Sequence, residues 1–200
     1  MKVTDNLKND ISNAPDWFFK SIESQVKKKK IATADHAISY QTWGNKKHKN
    51  ILFFIHGTGA HMRWWDPIAP QFSKDSYVIA IDLPGMGDST HRENYSFASF
   101  AEAIIDILNH EELLELDKSI IFVGHSLGGH VAGFVASEHP KIVDYLVMID
   151  TPIRPPDYDY AKHKSTGPLR MIKYYKDKES IINRFRLMPA QECENDWYLR

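Results

Sequence analysis

Four short runs of uninterrupted apolar residues limit what this chain can fold into more than any other feature. They are ILFFI at 51–55, YVIAI at 77–81, IIFV at 120–123 and YLVMI at Tyr145–Ile149. A strand with one wet face alternates apolar and polar residues. A continuous run marks a strand covered on both faces, as in a parallel sheet. Helical patterns lie between the runs. In FASFAEAIIDILNHEELLEL the apolar residues Phe100, Ala103, Ile104, Ile107 and Leu108 recur at helical spacing. GGHVAGFVASEHP reads as a small-residue helix stopped by Pro140. Strand–helix–strand order predicts an α/β fold: a mostly parallel sheet flanked by helices and joined by right-handed crossovers.

The rest of the chain divides around this core. Residues 1–30 read as an N-terminal arm or short amphipathic helix, with the lysines at 27–30 as its solvated end. Residues 31–151 form the core, beginning with one or two strands over 31–43. From 152 the texture changes, with four prolines in TPIRPPDYDYAKHKSTGP and then a helical pattern. This last part is expected to begin a helical lid over the C-terminal edge of the sheet, where open α/β sheets bind ligands. Its aromatic residues, Tyr158, Tyr160, Tyr174, Tyr175, Phe185 and Trp197, suggest apolar contacts.

Composition removes several classes of function. The chain is 42% hydrophobic and 26% charged, as a folded domain should be. A net charge of −1 gives no field to recruit nucleic acid or an anionic membrane. No apolar stretch approaches the length of a membrane span or a signal peptide. The one cysteine, Cys193, allows no intrachain disulfide, which fits a reducing, cytoplasmic setting, and its surroundings show nothing to activate a thiol.

The chemistry gathers where the apolar runs end. ILFFI leads into HGTGAHMRWW, YVIAI into DLPGMGDS, IIFV into GHSLGG and YLVMI into DTPIRPP, all at one edge of the sheet. Gly124-His125-Ser126-Leu127-Gly128 has the G-x-S-x-G spacing of a nucleophile elbow. Such a turn is tight enough to hold Ser126 in a strained conformation above the sheet. Gly124 and Gly128 remove side chains where strand and helix touch, and the new helix aims N–H groups at developing negative charge. In His56-Gly57-Thr58-Gly59 the backbone N–H of Thr58 is placed to join that of Leu127 as an oxyanion donor. His56 is read as bracing this loop rather than as a base, and Asp82 and Asp88 as shaping their own turn. Trp64 and Trp65 are expected to pack beneath the pocket or line it.

HGTGAHMRWWDPIAP, VIAIDLPGMGDS and VGHSLGGHVA, in this order and spacing, resemble the α/β-hydrolase superfamily over about residues 36–155. The resemblance implies a hydrolase that uses neither cofactor nor metal and acts on a small-molecule substrate, most often a carboxylic ester. It implies Ser126 as nucleophile and the amides of Thr58 and Leu127 as the oxyanion hole. A serine at the elbow counts against the dehalogenase and epoxide-hydrolase branches. The acid and the histidine should then follow the serine along the chain. Asp150, ending the strand beside the elbow strand, is a candidate acid. His163 is the only histidine after it. The helical lid is therefore expected only to begin within these residues, with the last strands and the triad's acid and histidine beyond residue 200, and Asp150 as the alternative place for the acid. These 200 residues alone should be nearly inactive. Two other readings remain: a non-catalytic small-molecule binder on the same scaffold, and another cofactor-free reaction such as carbon–carbon bond hydrolysis.

Overall fold

The computed structural model describes residues 13–32, 36–114, 117–155, 157, 176, 177, 180 and 197. Its contacts divide it into two units, Trp17–Pro152 and a second made of Met1–Asp16 with Ile153–Arg200. Residues 1–12 of the anticipated arm, and nearly all of the anticipated lid with His163 and Cys193, lie outside the described residues.

The described elements, in chain order, are α1 (Asp16–Ile22), β1 (Lys27–Ala32), β2 (Ala37–Trp43), β3 (Asn50–Ile55), β4 (Ser76–Ile81), α2 (Phe97–His110), β5 (Ser119–His125), α3 (Leu127–Glu138) and β6 (Tyr145–Ile149). Two 3₁₀ turns, Met62–Trp65 and Ala69–Phe72, lie between β3 and β4. The six strands form one sheet in the order β1-β2-β4-β3-β5-β6. β1 pairs with β2, and β2 with β4, antiparallel; β4, β3, β5 and β6 run parallel. The sheet is thus parallel through the four apolar runs and antiparallel at one side only.

The lysines at 27–30 do not end a helix. They form most of β1, an outer strand whose residues are largely exposed. The physical reason is pairing: Lys27 to Ala32 lie in register with Thr42 back to Ala37, and lysine is well suited to an outer edge because it discourages a further chain from adding there.

Continuous apolarity is explained by cover on both faces. Ile51, Phe53 and Ile55 of β3, Ile79 and Ile81 of β4 and Phe122 of β5 pack with Phe100, Ala103, Ile104 and Ile107 of α2 and Val131 and Val135 of α3. On the other face Phe54, Val78, Ala80 and Val123 pack with Met62, Trp65 and Ala69 from the 3₁₀ turns, and with Trp43. β6 differs: Tyr145 is 65% and Val147 45% exposed, and among the described strands it is the outermost on its side.

α2 begins at a reciprocal cap, in which Ser96 Oγ accepts from the Ser99 N–H and Ser99 Oγ from the Ser96 N–H. It buries Phe100, Ala103, Ile104, Ile107 and Leu108, the residues its periodicity selects. It stops at His110, earlier than the apolar pattern through Leu116 suggests, because Glu112 takes a positive φ of 52°. No described helix is long and apolar enough to cross a membrane.

Candidate active site

Strand register brings the loops together. Ile55 lies opposite both Ile81 and Gly124, and Gly124 opposite Met148. The four parallel strands therefore end level, and the segments that follow them emerge side by side.

Ser126 is the corner between β5 and α3. Its backbone has φ 50° and ψ −116°, in the region that side chains strongly disfavour, at a cost of about 1–3 kcal/mol. Hydrogen bonds hold it there. Its N–H donates to the Ile149 carbonyl at 2.9 Å, and its carbonyl accepts from the Gly129 and His130 N–H groups at 3.0 and 3.2 Å. Thr151 Oγ1 lies 3.3 Å from the same carbonyl. The glycines around it are required by contact. A methyl on Gly124 would strike the backbone of Gly128 and Gly129. One on Gly128 would strike the carbonyls of Ile55 and His56, and one on Gly129 the Thr151 side chain. The small residues after the serine let α3 settle directly on the ends of β3 and β5.

The loop after β3 meets this corner. A Cβ on Gly57 would sit 3.1 Å from the Ser126 Cβ and 2.8 Å from His125 Nδ1, so the absence of a side chain at Gly57 lets this loop lie against the serine corner. Thr58 is exposed, and neither its N–H nor that of Leu127 donates to a described residue. The Ser126 hydroxyl likewise has no hydrogen-bond partner among the described residues.

His56 is 1% exposed and tied at both ring nitrogens. Nε2 accepts from the Leu83 N–H at 3.0 Å, which leaves the proton on Nδ1, 2.8 Å from the Gly57 carbonyl. Burial lowers its pKa; the Gly57 bond and the charge of Asp82 pull the other way and lose. The ring is a neutral brace with its base nitrogen occupied. Asp82, also 1% exposed, accepts from the Met62 N–H at 2.6 Å and the Asp88 N–H at 2.8 Å. Asp82 and Leu83, adjacent in sequence, thus hold the two ends of the 56–62 loop. His61 in this loop is half-buried, and burial lowers its pKa too.

Of the other residues singled out by sequence, Trp65 packs on Phe54 at 4.9 Å, while Trp64 is 42% exposed. Asp150 is exposed with φ 45°, directly after the strand whose last carbonyl holds Ser126. Thr151 was not singled out. The second glycine of Gly128-Gly129 was its only sequence trace, because a side chain at 129 would occupy the place of Thr151. Among the described residues, no three histidine, cysteine, aspartate or glutamate side chains gather as a metal would need.

The family model for the alpha/beta hydrolase family matches residues 52–198. This chain belongs to the alpha/beta hydrolase family. It is 32% identical over 111 residues to a serine hydrolase-like protein of Danio rerio, covering 56% of this chain and 33% of that one. It is 29% identical over 116 residues to the monoacylglycerol lipase ABHD6 of Mus musculus, covering 58% and 34%. Among solved structures it resembles the thioesterase domain from the curacin biosynthetic pathway, with a TM-score of 0.59 and 26% identity over 70% of this chain and 51% of that one. The chain spans about a third of the length of these two curated relatives.

Proposed function

We propose that this alpha/beta hydrolase chain carries the nucleophile and oxyanion hole of a serine hydrolase that cleaves an ester or thioester of a small apolar acyl group. The observation that carries the reading is the pairing of a strained Ser126 with two N–H groups, of Thr58 and Leu127, that donate to no described residue. A binding protein gains nothing from strain at a serine, whereas a nucleophile does. The relatives point the same way, one named as a lipase of monoacylglycerols and one as a thioesterase domain.

In the reaction, Ser126 Oγ attacks the carbonyl carbon as a histidine base takes its proton. The carbonyl oxygen becomes negative between the Thr58 and Leu127 N–H groups, where fixed donors act without reorganising. The alcohol or thiol leaves with the proton, and the acyl group stays on Oγ until water, deprotonated by the same base, releases it as the acid. Asp150 is the acid that the described residues offer. The base is assigned to a histidine outside them.

Short-chain p-nitrophenyl esters test this in protein expressed from the complete reading frame. The expected result is turnover that falls by at least about 10³-fold in Ser126→Ala. Equal turnover in the two proteins contradicts the proposal.

A further inference from the structure

The 56–62 loop has little of its own to hold it. Beyond the His56 Nδ1 bond to the neighbouring Gly57 carbonyl, its internal tie among the described residues is Ala60 N–H to the same carbonyl, 3.2 Å long. Its position comes chiefly from the two residues that follow β4. Leu83 holds His56 at the start of the loop, and the Asp82 carboxylate holds the Met62 N–H at its end. A third tie, from Gln41 Nε2 to the Met62 carbonyl, is longer at 3.3 Å. The other oxygen of Asp82 takes the Asp88 N–H, and Gly87, at φ 55°, leaves room for the carboxylate because a methyl there would overlap it.

The geometry points to Asp82 as a positioning residue that sets the Thr58 N–H against the carbonyl oxygen during attack by Ser126; this rests on the serine-hydrolase reading. Two backbone donors approach one side chain from two loops. Only a carboxylate offers an acceptor to each. Asparagine fits the same space but turns an N–H₂ donor toward one of the two N–H groups. One end of the loop then moves away. An oxyanion donor displaced by a fraction of an ångström loses stabilisation in the transition state and little in the ground state.

The test compares Asp82→Asn with Ser89→Ala in the protein from the complete reading frame. Ser89 Oγ bonds the Asp82 backbone carbonyl and the Ser39 N–H at 2.7 and 2.9 Å, so its loss loosens the same neighbourhood without touching the carboxylate. D82N is expected to lower kcat about tenfold or more with KM within about twofold. It should also speed hydrogen exchange at the Met62 amide. S89A should alter thermal stability while keeping kcat and Met62 exchange near wild type. Equal effects of the two variants on kcat at matched stability overturn the inference, as does unchanged Met62 exchange in D82N. Should D82N not fold, Gly87→Ala, whose methyl lands on the same carboxylate, takes its place with the same readouts. Wild-type protein without Ser126-dependent turnover defeats the serine-hydrolase reading itself; the Met62 exchange rate then decides whether Asp82 clamps the loop.

Discussion

Ser126 keeps a backbone conformation that it would leave if its neighbours allowed. They do not, because three glycines bring strand and helix to backbone contact around it. Gly128→Ala puts a methyl against two carbonyls that cannot rotate aside, and a loss of about 2–3 kcal/mol in unfolding free energy is expected from urea titration. Gly57→Ala acts differently. Its methyl meets the Ser126 Cβ and the His125 ring, side-chain atoms that can give, so stability should fall less. The serine and the loop that carries Thr58 should be pushed apart, and Ser126-dependent ester turnover should drop about tenfold or more. At this scale the sequence was legible where glycine was the signal. The spacing of Gly124, Ser126 and Gly128 by itself predicts the corner between β5 and α3. Asp82 and Thr151 were less legible. Their partners, the Met62 amide and the Ser126 carbonyl, are backbone groups 20 and 25 residues away, and backbone groups leave no trace in the identity of a residue.

The end of α2 is tied to three strands of the sheet. Glu111 sits at the helix C-terminus, where the helix dipole disfavours a carboxylate, and it is 3% exposed. Tyr40 of β2 donates to it at 2.6 Å, Tyr77 of β4 at 3.0 Å and Lys29 of β1 at 2.5 Å. Burial alone would raise its pKa. The bonds from Lys29 and Tyr40, with the charge of Lys29, outweigh burial and lower it. The same contacts explain why the lysines at 27–30 belong to a strand: Lys29 is bound to the core through Glu111. Four successive lysines read as solvated because their spacing does not reveal a buried partner 82 residues away. Glu111→Gln keeps the shape but not the charge, and about 2 kcal/mol of stability should be lost in urea titration. The apolar runs of β3, β4 and β5 were legible as elements because cover on both faces imposes its own composition; β6 has the same composition with most of its residues exposed.

For the whole molecule, acid stability should fall in two separable stages. Buried His56 has a pKa below the 6.5 of an exposed histidine, so the unfolded chain binds the proton more readily. Its contribution is complete above pH 6.5 and is lost as pH falls below that value, with His61 acting in the same direction. Glu111, lowered from 4.5, contributes above that value and loses its share as pH falls further. Asp66 and Asp106, raised from 3.8 chiefly by burial, oppose the second stage. In a series of denaturation midpoints, His56→Gln should flatten the slope just below pH 6.5, and Glu111→Gln the slope below 4.5. Because β6 is apolar and exposed, concentration-dependent self-association is the expected outcome in light scattering, and Val147→Lys should reduce it.

The nucleophilicity proposed for Ser126 is tested most directly with a fluorophosphonate. The protein from the complete reading frame is treated with the probe, digested, and the adduct located by mass spectrometry. One adduct is expected, on Ser126, that disappears in Ser126→Ala and forms more slowly in Asp82→Asn. An unmodified Ser126 peptide under conditions that label a known serine hydrolase would contradict it.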